Sequence, residues 1–76
     1  MGAPALADVE LAAEIRRLRL LSGESQESLA HRSGLTVAAL SRIERGAANP
    51  AWTTVRRIMG ALEVSLSELG ERLEAA

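Results

Sequence analysis

Apolar residues recur along this chain at helical spacing in five short runs, and nowhere alternate with the period of two that marks a half-buried strand. Leu11, Ile15 and Leu18 follow i, i+4, i+7 and predict a first helix from about residue 8 to Ser22, with Gly23 placed to end it. A second helix starts near Ser25, a natural N-cap, buries Leu29 and Ala30 and closes at Gly34. Thr36 caps a third helix running to Arg45, which Gly46 ends. The loop Ala47-Ala48-Asn49-Pro50 leads into a fourth helix, with Pro50 expected in its first turn. Trp52, Val55, Ile58, Met59 and Leu62 supply that helix's apolar stripe, and Ser65-Leu66-Ser67-Glu68 forms a capping box that opens a fifth. The pattern predicts an all-α, compact five-helix fold. No linker, repeat or low-complexity segment divides it, so residues 1–76 are expected to form a single domain with the first seven residues flexible.

The stretch SQESLAHRSGLTVAALSRIERG, residues 25–46, holds two of these helices joined by a three-residue corner, Ser33-Gly34-Leu35. At 100° per residue, Val37, Ala38, Ser41, Arg42 and Arg45 share an arc of roughly 140°, while Ala39, Leu40, Ile43 and Glu44 fall outside it on the other side. One face is for the core and the other is free. The free face has small side chains at its start and two guanidinium groups at its end, slim enough for a groove about 12 Å wide.

Composition changes this picture in three ways. A chain of 76 residues buries only roughly 60% of its unfolded surface, which makes a lone copy marginal and a partner subunit useful. The net charge of −1 hides an asymmetry: residues 15–60 carry +5, whereas residues 1–14 and 61–76 carry −3 each. All nine basic residues are Arg, a residue suited to bidentate phosphate and guanine contacts, although a codon preference for Arg and Ala explains the bias equally well. There is no Cys and one His, so neither a disulfide nor a structural metal site is expected. No run approaches the roughly 20 apolar residues of a membrane span, and the start lacks a signal-peptide pattern; a cytoplasmic location is expected. Without Phe or Tyr, stacking of single-stranded bases on an aromatic platform is not expected of this chain.

SQESLAHRSGLT followed by LSRIERG, a Pro four residues on, and LEVSLSEL resembles the lambda-repressor-like helix-turn-helix family, also called the Xre or Cro type. The resemblance covers about residues 11–70. It implies double-stranded DNA as partner and a recognition helix, residues 36–45, in the major groove. It places Gln26 where the family contacts a phosphate at the start of helix two, and Val37, Ala38, Ser41 and Arg42 where members read base edges or nearby backbone, with Thr36 and Arg45 flanking them. It also implies a buried ion pair between Arg19 and Glu44 that ties helix one to helix three. The chain departs from the pattern at Val37 and Ala38, which offer only apolar contact such as a thymine methyl, so hydrogen-bonded base reading falls on Arg42 with Ser41 in support. Ala47 replaces a frequently basic residue, Ala51 a common Ser cap, and Glu63 a position often taken by Gly or Asn.

The resemblance implies a sequence-specific transcriptional regulator, acting as a homodimer because one domain touches too few base pairs to specify a site. Trp52, Leu66, Leu69 and Leu73 are candidates for the dimer surface, and Trp52 is expected to fill either the core or that interface. Leu20 and Leu21 are adjacent, so only one can face inward. Phosphate contact by Arg16, Arg17 or Arg32 is the less expected role for each. The second reading is an antitoxin or other regulator whose main partner is a toxin or another protein; a restriction-modification controller is a further variant of the first. A protein-interaction module that has lost DNA binding is the third. No enzyme is expected: there is no phosphate-binding Gly-rich loop, and the carboxylates are scattered instead of convergent. No cofactor is implied.

Overall fold

The computed structural model describes residues 8–75, and the segment expected to be flexible, residues 1–7, lies outside them. Five helices follow in order: α1 Val9–Ser22, α2 Gln26–Arg32, α3 Val37–Glu44, α4 Trp52–Leu62 and α5 Leu66–Ala75. No strand occurs among the described residues.

Four of the five starts are closed by a side chain. Asp8 accepts from the backbone N–H groups of Glu10 and Leu11, both at 3.0 Å. Ser25 accepts from Ser28 at 3.1 Å, Thr36 from Ala39 at 3.0 Å, and Ser65 from Glu68 at 3.0 Å. The Glu68 carboxylate reaches back to the Ser65 N–H at 3.5 Å, which completes the expected capping box. The exception is α4, whose cap position is Ala51 and therefore has no side-chain acceptor. Pro50 precedes that cap and so stands outside the helix, not in its first turn.

Every helix contributes to one core: Ile15 and Leu18 from α1, Leu29 and Ala30 from α2, Leu40 and Ile43 from α3, Val55, Ile58 and Met59 from α4, and Leu69 from α5. α1 packs against α3, α4 and α5, while α2 lies between α3 and α4. Two expectations about large apolar side chains need correction, for Leu69 and for the Leu20 and Leu21 pair, and a third, for Trp52, is narrowed. Trp52 is 62% exposed and fills no core space, because it is the first residue of α4 and the core stripe of that helix begins at Val55. Leu69 is buried in the core, so it is not left over for a dimer surface; Leu66 is exposed and Leu73 half-buried. Leu20 and Leu21 are both exposed, at 53% and 69%, since Leu18 and Arg19 take the inward positions on that turn.

Candidate nucleic-acid interface

The corner between α2 and α3 is built by backbone bonds and one glycine. Ser33 caps the end of α2, Gly34 turns the chain with φ +71°, and the Leu35 N–H returns to the Ala30 carbonyl at 2.8 Å. Only a residue without a Cβ takes that backbone angle freely. Thr36 then restarts the chain as α3. The other end of α3 closes in the same way: Gly46 has φ +71°, and the Ala47 N–H reaches the Arg42 carbonyl at 2.9 Å. The loop that follows is pinned from afar, with the Asp8 N–H donating to Asn49 Oδ1 at 2.6 Å. That link joins residues 41 positions apart, and no spacing in the sequence announces it.

Behind α3 lies a charged node. Arg19 on α1 donates to Glu44 on α3 through Nε at 2.7 Å and Nη2 at 3.0 Å, a bidentate pair whose members are only 8% and 6% exposed. The third guanidinium nitrogen, Nη1, donates to the Glu24 carbonyl in the α1–α2 connection at 2.9 Å. Hydrogen bonding to Glu44 pushes the Arg19 pKa up despite the opposing effect of burial. The expected ion pair is therefore formed, and it does more than tie two helices. Gln26, the first residue of α2, donates from Nε2 to Glu44 Oε1 at 3.0 Å. This contact is in addition to the outward role expected for Gln26, and a separation of 18 residues in the sequence does not announce it.

The outer face of α3 is open as its periodicity predicts. Leu40, Ile43 and Glu44 are buried, whereas Val37, Ala38, Arg42 and Arg45 are exposed and Ser41 is half-buried. Thr36 stands exposed at the start of this face, with its oxygen engaged as the cap and its hydroxyl proton available to donate. Gln26 is not on the face; it joins through Glu44 at the helix's far end.

The arginines divide into two groups. Arg17 pairs with Glu14 at 3.0 Å, Arg32 with Glu24 at 2.7 Å, Arg72 with Glu14 at 3.7 Å, and Arg19 with Glu44 as described. Arg32 also donates to the Ala61 carbonyl, so its charge is committed within the protein. Its hydrogen bond, together with that of Ser28, holds the Glu24 carboxyl below the usual carboxylate range against the effect of desolvation. Among the described residues Arg16, Arg42, Arg45, Arg56 and Arg57 form no ion pair. Arg45 folds back to donate from Nε to the Ser41 carbonyl at 3.3 Å, and with Arg16 it lines an open groove where α1 meets the end of α3. The described residues contain no acidic or His cluster able to hold a metal, and no helix long and apolar enough to cross a membrane.

A short, capped helix with a basic outer face, braced by a second helix across a glycine corner, defines a helix-turn-helix protein. The sequence model of the helix-turn-helix family matches residues 15–69, and the chain belongs to that family, in its lambda-repressor-like branch. Among solved structures it is similar to a point mutant of the restriction-modification controller protein C.Esp1396I, with 36% identity over 88% of this chain and 89% of that one and a TM-score of 0.84. The C.Esp1396I tetramer in complex with its natural 35 base-pair operator is 34% identical over 88% of each chain, with a TM-score of 0.83. The controller protein C.AhdI from Aeromonas hydrophila is 34% identical over 80% of this chain and 92% of that one, with a TM-score of 0.77. No curated protein matches the sequence.

Proposed function

We propose that this protein is a sequence-specific double-stranded DNA-binding transcriptional regulator that lays α3 with its two caps, residues 36–45, in the major groove. The observation that carries this reading is the outer face of α3. Val37, Ala38 and Arg42 of α3 and its cap Arg45 are exposed and Ser41 is half-buried, and among the described residues neither arginine is neutralised by an acidic neighbour. A helix about 10–12 Å across fits a groove about 12 Å wide. Similarity to C.Esp1396I, whose tetramer has been solved on its operator, supports the same class of action for this chain.

Roles follow from chemistry. Arg42 offers a fork for guanine, Val37 and Ala38 offer apolar contact to a thymine methyl, and Ser41 hydrogen-bonds in support. Thr36 and Arg45, at the two ends of α3, together with Gln26 on α2, contact the sugar-phosphate backbone and set the register. The whole chain acts as one domain in the cytoplasm, where its DNA is. It works as a homodimer on an inverted repeat, with recognition helices about 34 Å apart. Of the apolar candidates on α4 and α5, Trp52 and Leu66 are the exposed ones that would build that contact.

Selection of bound duplexes from a random pool tests both DNA binding and the half-site. Arg42→Ala is expected to lose about 1–3 kcal/mol of specific affinity and to relax one base position in the selected sequence. An unchanged selected sequence removes Arg42 from the reading set. Sedimentation with the selected duplex reads the stoichiometry; one protein per non-palindromic site refutes the symmetric dimer and leaves DNA binding standing.

A further inference from the structure

We infer that Glu44 is a positioning residue for DNA binding: its buried carboxylate sets the Gln26 amide so that one N–H is used inside the protein and the second is presented to a backbone phosphate. The inference rests on the proposed contact between Gln26 and phosphate. An ionised carboxylate only accepts hydrogen bonds, so the amide nitrogen, not the amide oxygen, must face Glu44. The observed contact, Gln26 Nε2 to Glu44 Oε1 at 3.0 Å, has that sense. The flipped amide would set its oxygen against the carboxylate and lose the bond.

Glu44 is itself held at both oxygens. Arg19 engages both of its oxygens, at 2.7 Å and 3.0 Å, and is anchored in turn to the Glu24 carbonyl at 2.9 Å. Glu44 Oε1 thus receives Arg19 and Gln26 together, and α1, α2 and α3 meet at one atom. A glutamine side chain on a helix surface ordinarily loses its rotamer freedom when it binds. Here that freedom is removed in the unbound protein, so less is lost in the binding step. The Nε2 atom carries two hydrogens and the contact with Glu44 uses one, which leaves the other for an acceptor outside the core.

The test compares duplex affinity in two backgrounds, using a duplex recovered by selection from random DNA. In the wild type, Gln26→Ala weakens binding about tenfold, the effect of one charge-assisted hydrogen bond. Arg19→Met with Glu44→Leu removes the pair as a unit; binding is expected to fall by a similar factor, and adding Gln26→Ala changes it by less than about twofold. A role confined to stability leaves the tenfold effect of Gln26→Ala intact in the second background, and that result overturns the positioning role while the phosphate contact stands. If Gln26→Ala is neutral in the wild type, the phosphate contact fails and the inference falls with it. Should the paired variant not fold, nuclear magnetic relaxation of the unbound wild type decides. The Gln26 side-chain amide is expected to be nearly as ordered as rigid backbone, with an order parameter near about 0.85, and a value under about 0.6 overturns the proposal.

Discussion

The helix-turn-helix unit and α4 meet the same problem, the unpaired backbone groups at helix ends, with different chemistry. α2 and α3 start at Ser25 and Thr36, whose oxygens accept from the backbone, and the two turns that follow them use Gly34 and Gly46 at φ +71°. α4 starts at Ala51 with no acceptor and ends at Glu63, which takes the left-handed turn at φ +59°. Its closing bonds form all the same: the Glu63 N–H reaches the Gly60 carbonyl at 3.2 Å and Val64 reaches Met59 at 3.0 Å. Magnitudes explain the tolerance. Burying Val55, Ile58 and Met59 contributes about 1.5–3 kcal/mol each, whereas a missing cap costs about 1 kcal/mol and a left-handed non-glycine residue about 1–2 kcal/mol. α4 can absorb both losses. α3 has eight residues, keeps one face uncovered and buries only Leu40, Ile43 and Glu44, so its geometry leans on caps, turns and the Arg19 pair. An element that must leave a face open has less packing to spend on imperfect ends.

Perturbations separate the two regimes. Glu44→Ala strands the Arg19 charge in a buried site and is expected to lower unfolding stability by about 3–5 kcal/mol in urea titration; a loss under 1 kcal/mol would show that the node is not structural. Thr36→Ala removes the α3 cap and is expected to lose about 1 kcal/mol, and Ala51→Ser, which supplies the cap that α4 lacks, to gain about as much. Equal and opposite shifts would establish that packing, not local geometry, had compensated at α4. Glu63→Gly relieves the left-handed strain and should raise stability by about 0.5–1 kcal/mol in the same titration, whereas Gly34→Ala should lower it. The smallest effect concerns Glu24. Its folded pKa lies below the unfolded value of about 4.3, so its bond to Arg32 stabilises the fold above that pH and is lost as pH falls through the depressed value. The difference in melting temperature between wild type and Glu24→Gln should accordingly be small at pH 7 and vanish in more acidic buffer.

The helices and their stops were legible because local chemistry encodes them. Gly23, Gly34 and Gly46 have φ between +71° and +79°, and Ser25, Thr36 and Ser65 cap as their positions foretell. The two faces of α3 followed from its periodicity alone. What the sequence did not reveal is contact between distant segments. Gln26 and Glu44 are polar residues at helix ends and Asp8 and Asn49 a cap and a loop residue, and nothing in their spacing says that they meet. For a related reason periodicity did not choose between the core and the surface for Trp52: it continues the apolar period of α4 one turn beyond the point where the core ends. Periodicity names a face, but it does not say how far along that face a neighbour extends.

The buried pair also shapes how this chain can change over generations. Altering Arg19 or Glu44 alone leaves an uncompensated charge inside a fold whose total stability is on the order of 5–15 kcal/mol, and so consumes a large part of it. Altering both to apolar residues of similar volume can be close to neutral for stability, at the expected cost in DNA binding. The two positions are therefore joined by an epistatic valley: descendants either keep both charges or discard both, and single-step drift through one of them is selected against wherever the fold is needed.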